Sequence, residues 1–104
     1  MQQLDNKEVN SQLAKEPIAL TFIHSPFCGT CHLARKMLTT IELSYNKEVF
    51  YELNASLHPA LMQDYQVESV PCLLVTQHGK LKEKVYAFHS VPFMYEKTAD
   101  FVTI

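Results

Sequence analysis

Glycine is nearly missing from this chain. Its only two, Gly29 and Gly79, fall at a junction and at a turn, so Gly-rich linkers and low-complexity segments are excluded and one compact unit is expected. Cysteine is scarce too. Three thiols, an odd number, do not make the disulfide framework of a small secreted domain. No apolar run approaches the roughly 20 residues of a membrane span, so no membrane partner is expected. A net charge of −2 lacks the basic footprint of a nucleic-acid binder. The opening MQQLDNKEVNSQLAKEP has no basic-then-apolar pattern of a secretory signal, and a reducing cytoplasm is the expected location. What remains, 47% hydrophobic and 19% charged over 104 residues, is an ordinary globular composition for one domain, residues 1–104.

The most informative stretch is Ile18 to Leu38, IALTFIHSPFCGTCHLARKML. An apolar, β-prone run from Ile18 to Ile23 is broken by Ser25-Pro26, and Cys28 and Cys31 follow with only Gly29 and Thr30 between them. A helical pattern continues to about Tyr45, with Cys31, Ala34, Leu38 and Ile41 on one face. Thiols at the junction of a strand and a helix N-terminus are reactive, because the exposed N–H groups and the helix dipole favour a thiolate there.

The rest alternates helix and strand. Residues 1 to 15 form a weak amphipathic helix that Pro17 ends. Val49 to Asn54 is a second strand, parallel to the first across a right-handed crossover. Ser56 to Tyr65 is a short helix with Pro59 in its first turn. Cys72 to Thr76 is a third strand, and Gln77-His78-Gly79-Lys80 signals a hairpin into a fourth. That fourth strand, Leu81 to Phe88, has Leu81, Val85 and Ala87 on one face and an edge blunted by Lys82, Glu83 and Lys84. Ser90 caps a last helix, with Pro92 in its first turn, running to about Val102. The fold class is α/β: a mixed sheet of about four strands flanked by helices.

This order, with C-G-T-C after the first strand and V-P before the third, resembles the thioredoxin family over nearly the whole chain. FCGTC resembles that family's W-C-G-P-C site, YELNASLHP its strand-to-helix segment, and YQVESVPCLLVTQHGK the stretch through its cis-proline and hairpin. The resemblance implies the thioredoxin fold and a thiol–disulfide oxidoreductase. Cys28 then matches the exposed nucleophile, Cys31 the buried resolving thiol, and Pro71 a cis-proline packed against the site. Val70 matches the residue whose backbone pairs with substrate, and Phe27 and Ala87 complete the substrate surface. The implied partners are disulfide-containing proteins and an electron-donating reductase or low-molecular-weight thiol; no dissociable cofactor and no metal are implied. The alternative is a redox-sensing or binding module of the same fold without turnover.

The departures from the pattern are specific. Thr30 replaces the proline between the thiols, Phe27 the tryptophan before them, and Lys36 a proline within the helix. Ala87 stands where the family has a glycine in the substrate groove. The buried aspartate beneath the cysteines is missing, Thr21 or Phe22 taking its place, and Glu52 matches the lysine that pairs with it. An ionised carboxylate on an apolar strand is costly without a partner. Glu52 is therefore expected either to take the proton of Cys31 or to reach solvent or a cation. His24 and His32 flank the thiols and read as solvated surface, although a protonated His32 near the thiols would favour a thiolate. Cys72, beside Pro71, reads as a small core hydrophobe.

Two other chemistries share these residues. Cys28-Gly29-Thr30-Cys31-His32 spells C-x-x-C-H, a haem-attachment signature, but the β-rich pattern, Val70-Pro71 and the missing signal oppose it. Zinc would have Cys28, Cys31 and a histidine, with Cys72 as a fourth ligand, but no second C-x-x-C completes the set.

Overall fold

The computed structural model describes residues 1–4 and 8–102. Its strands are β1 (Gln2–Gln3), β2 (Ala19–His24), β3 (Tyr51–Asn54), β4 (Cys72–Gln77) and β5 (Lys80–Val85). Its α-helices are α1 (Val9–Lys15), α2 (Gly29–Tyr45), α3 (Pro59–Asp64) and α4 (Val91–Ala99). The sheet order is β1-β3-β2-β4-β5. β3 is parallel to both β1 and β2, whereas β4 is antiparallel to β2 and to β5.

Strand alternation sends successive residues to opposite faces, and both faces of the sheet are covered. Leu20, Phe22, Leu73 and Val75 pack with Cys31, Ala34, Leu38 and Ile41 of α2 and Met94 of α4. Ala19, Ile23, Leu53, Cys72 and Leu74 pack on the other side with Val9 and Leu13 of α1 and Leu61 of α3. Burial on both sides is why β2 and β4 read as near-continuous apolar runs rather than alternating ones. Each fully buried Leu, Ile or Phe contributes about 2 kcal/mol to this arrangement.

The ends of the elements follow local chemistry. Asn46, in the left-handed region at φ 56°, closes α2 by donating its N–H to the carbonyls of Glu42 and Leu43. Ser90 Oγ accepts from Phe93 N at 3.2 Å and caps α4. His78 and Gly79 both have positive φ, 49° and 81°, as a tight hairpin turn with the twist of its strands requires.

Several expectations need correction. Residues 1 to 15 are not one helix: Gln2–Gln3 add a fifth strand at the sheet edge, and α1 begins at Val9. The part of the expected helix over residues 5–7 lies outside the described residues. Pro71 therefore precedes the fourth strand rather than the third. β3 starts at Tyr51 instead of Val49, because the N–H groups of Val49 and Phe50 donate to Glu42 Oε2 at 2.9 and 3.1 Å. The helix expected from Ser56 is split into a 3-10 turn, Ala55–Leu57, and α3. His58, at φ −135° and ψ 58°, separates them, since a residue before proline avoids the helical region. β5 stops at Val85, and a β-bulge opposite the Val75/Thr76 step breaks its alternation. Leu81 is consequently exposed while Val85 is buried, and Ala87 lies beyond the strand.

Gly79 is the position where backbone and packing both demand glycine. A Cβ there would lie 3.3 Å from Ala14 Cα, at a φ that L side chains rarely adopt. Gly79→Ala is expected to lower the unfolding free energy by roughly 1–3 kcal/mol in urea titration.

Candidate active site

β2 ends at His24, and Ser25 organises the loop that follows. Its Oγ accepts from Phe27 N at 3.4 Å and its carbonyl from Cys28 N at 3.2 Å. Cys28 is the N-cap of α2, in extended conformation. Cys28 and Cys31 form a disulfide with their Cα atoms 5.3 Å apart. The two sulfurs are not equivalent: Cys28 is half-buried, whereas Cys31 is 4% exposed within the α2 cluster.

The expected companions gather around Cys28. The Val70–Pro71 bond is cis, and the Val70 carbonyl oxygen lies 3.7 Å from Cys28 Sγ. Thr30 Oγ1 is 3.4 Å from the same sulfur. A disulfide sulfur has no proton to give, so the threonine hydroxyl is the donor. Phe27 stands 94% exposed beside the disulfide, and Leu33, on the next turn, is 60% exposed. Ala87 is exposed and leads into buried Phe88, which packs in the same cluster as Cys31.

Beneath the cysteines, strand alternation decides between the two residues at the missing acid's place. Phe22 shares the packed cluster with Cys31, and Thr21 faces the other side of the sheet. Glu52, opposite Phe22 in the β2–β3 register, is held by Arg35, whose Nη1 donates to its Oε2. Of its expected surroundings, Glu52 has found the cation. The Arg35 guanidinium also lies 5.4 Å above the centre of the Phe22 ring. Arg35 was not singled out in the sequence. It sits one turn after Cys31, and its partner Glu52 lies 17 residues further on, so no local spacing signals the pair.

The histidines separate. His32 is exposed on the first turn of α2. His24 is not a solvated surface residue: its ring stacks on Phe22 at 5.6 Å, and its Nε2 is closed off from solvent with no hydrogen-bond partner among the described residues. Burial, then the Arg35 charge, holds its pKa below the ordinary 6.5, with Glu52 opposing them. Cys72 is fully buried, and its burial pushes the thiol up to about 11, against the opposing pull of Lys84. No three of His, Cys, Asp and Glu converge to hold a metal among the described residues. None of the described helices is long and apolar enough to cross a membrane.

Comparison with known proteins gives this arrangement its context. A protein-family model described as Thioredoxin matches residues 1–91. The chain is 41% identical over 96 residues to the Thioredoxin-like protein YusE of Bacillus subtilis (strain 168), covering 92% of this chain and 89% of that protein. It is 28% identical over 76 residues to a Thioredoxin of Chlamydia caviae, covering 73% of this chain and 74% of that one. Among solved structures, oxidised thioredoxin from Plasmodium falciparum superposes with a TM-score of 0.81 over 99% of both chains, at 12% identity.

Two outcomes test this description. Thr30→Val removes the hydroxyl that lies 3.4 Å from Cys28 Sγ; in the reduced protein, alkylation of Cys28 by iodoacetamide at neutral pH is expected to slow roughly threefold to tenfold, the equivalent of about 1 kcal/mol of hydrogen bonding. Cys72 keeps its proton in the folded state to about pH 11 but loses it from pH 9.0 when unfolded. The unfolded chain therefore binds fewer protons between these values, and stability falls as pH rises through them. Tyr51 and Tyr65, also raised by burial, act in the same direction. Denaturant titrations should accordingly show a shallower alkaline decline in Cys72→Ala than in the parent.

Proposed function

The chain belongs to the thioredoxin family, and from that premise we propose that it reduces or exchanges disulfides in protein substrates through Cys28 and Cys31. The observation that carries this reading is the Cys28–Cys31 disulfide at the start of α2, with its outer sulfur 3.7 Å from the Val70 carbonyl. Chemistry starts from the reduced pair. The Cys28 thiolate attacks one sulfur of a substrate disulfide, forming a mixed disulfide and expelling the other sulfur as a thiolate. Cys31 then attacks Cys28 Sγ, closes the internal disulfide and releases the second substrate sulfur. Two electrons pass to the substrate, and a reductase or low-molecular-weight thiol returns them. The cycle needs no dissociable cofactor, and a reducing cytoplasm supplies such donors.

The surroundings suit an extended polypeptide. Its backbone would run beside Val70-Pro71, adding main-chain hydrogen bonds. The exposed Phe27 and Ala87 would give apolar contacts; covering a side chain as exposed as Phe27 is worth about 2 kcal/mol.

The test is dithiothreitol-driven reduction of insulin. The parent protein should turn over, Cys28→Ser should be inactive, and Cys31→Ser should accumulate a mixed disulfide that denaturing electrophoresis resolves. No turnover on any disulfide, with a partner complex that survives Cys28→Ser, would instead make the chain a binding module.

A further inference from the structure

Resolution of the mixed disulfide requires Cys31 to lose a proton inside the protein. Cys31 is 4% exposed and packed among Ala34, Phe22 and Leu38, so bulk water is poorly placed to take it. The carboxylate that could have done so is replaced by Phe22. Glu52, on the same face, has its Oε2 engaged by the Arg35 guanidinium. His32 points into solvent. His24, by contrast, offers a ring nitrogen, Nε2, that is buried and has no hydrogen-bond partner among the described residues. We propose that the His24 imidazole receives the proton of Cys31 during resolution, with the Arg35–Glu52 pair governing the charge it carries before and after; this rests on the reading of Cys28 and Cys31 as a redox couple.

Three observations converge on it. First, His24 continues the Leu20, Phe22 alternation of β2, the set of residues that faces α2. Its ring is stacked on Phe22, the same residue that packs with Cys31 and lies under Arg35. Second, a buried nitrogen left without a partner costs about 1–3 kcal/mol. Thr21 Oγ1, Thr76 Oγ1 and His58 Nε2 are left unpaired too, but His24 alone of the four puts a titratable ring on the strand face that carries the Cys31 cluster. Third, the charged groups acting on the ring come from two elements and oppose each other. Arg35 of α2, together with burial, keeps the imidazole neutral and basic at rest, while Glu52 of β3 stabilises the imidazolium once it forms.

The step balances. The proton moves from Cys31 Sγ to His24 Nε2 as the Cys31 sulfur attacks Cys28 Sγ. The Cys31–Cys28 bond forms, the Cys28–substrate bond breaks, and the substrate sulfur leaves with the electron pair. His24 then passes its proton to that thiolate or to water. Coupled in this way, resolution has a rate that is level across neutral pH and falls only as His24 itself becomes protonated, below pH 6.5.

The experiment uses the reduced full-length chain and the chromogenic aromatic disulfide dithionitrobenzoate in stopped flow. The first chromophore release reports attack by Cys28 and the second reports resolution by Cys31. In the parent the second release should be level across neutral pH. In His24→Gln the first release should stay within about twofold, whereas the second should lose its level region and climb about tenfold per pH unit, lying roughly tenfold to a hundredfold below the parent at pH 6. In His24→Ala, added imidazole should restore the second release, which a purely structural role for the ring would not allow. Glu52→Gln should keep the level region and move its acid edge to lower pH. An unchanged second release in His24→Gln, with a normal first release, overturns the proposal. So does loss of the level region in Glu52→Gln alone, which would make Glu52 the acceptor. Failure of the underlying reading looks different: the parent itself would give no first release that Cys28→Ser abolishes.

Discussion

The antiparallel register that sets Ile23 opposite Cys72 is what the candidate site depends on. It places the carboxyl end of β2 beside the amino end of β4. The chain leaving β2 must therefore pass the chain entering β4, and Cys28 meets Val70-Pro71 across that gap. Neither segment holds this position alone. Each is the continuation of a strand buried on both faces, and a one-residue slip would exchange the two apolar sets across the sheet. The site is thus as rigid as the core beneath it, while its own surface, Phe27 above all, stays open to a partner.

The same core explains the charge arrangement under the thiols. Phe22 at the acid's position completes an apolar cluster, which is favourable for stability, but it removes a carboxylate from beside Cys31. Glu52 on the neighbouring strand, half-buried, would be an uncompensated charge without a partner. Arg35 supplies one, and does so from the helix that carries Cys31. With side chains 38% and 16% exposed, the pair is too solvated to contribute more than about 1 kcal/mol to stability. Its influence is instead on the charge state of the groups around Phe22, and His24 is the group that feels both partners.

Much of this was legible in the sequence, for a physical reason in each case. The thiol pair, the valine–proline dipeptide, the two-sided strands and the cap at Ser90 are short-range or strongly periodic signals. β1 left none: Gln2 and Gln3 are both polar and exposed, and join the sheet through backbone hydrogen bonds that composition does not reveal. Glu42 was equally silent. It is a helical glutamate turned inward to satisfy the N–H groups of Val49 and Phe50, and that role exists only once the chain has folded back on itself. Arg35 and Glu52, 17 residues apart, meet through the helix crossover rather than through local spacing. His24 was recoverable. Ending the strand at Ile23 placed it in a loop, whereas one more step of the Leu20, Phe22 alternation puts it on the cysteine face.

That one step changes how the site responds to its surroundings. A buried carboxylate beside a thiol keeps its proton affinity through a low local dielectric, and its effect is fixed by depth. An imidazole at a strand end starts close to neutrality by its own chemistry, so modest neighbouring charges move it across the physiological range. Burial and Arg35 hold the ring neutral and Glu52 opposes them, so the ring rests as a base and has a counter-charge at hand when it is protonated. In the proposed cycle, attack by Cys28 draws on the helix N-terminus and the Thr30 hydroxyl, and resolution by Cys31 draws on His24. On this proposal separate groups serve the two thiols, so the formation and the collapse of a mixed disulfide can be tuned independently, and protonation of His24 adds a slowing that acts on the second step.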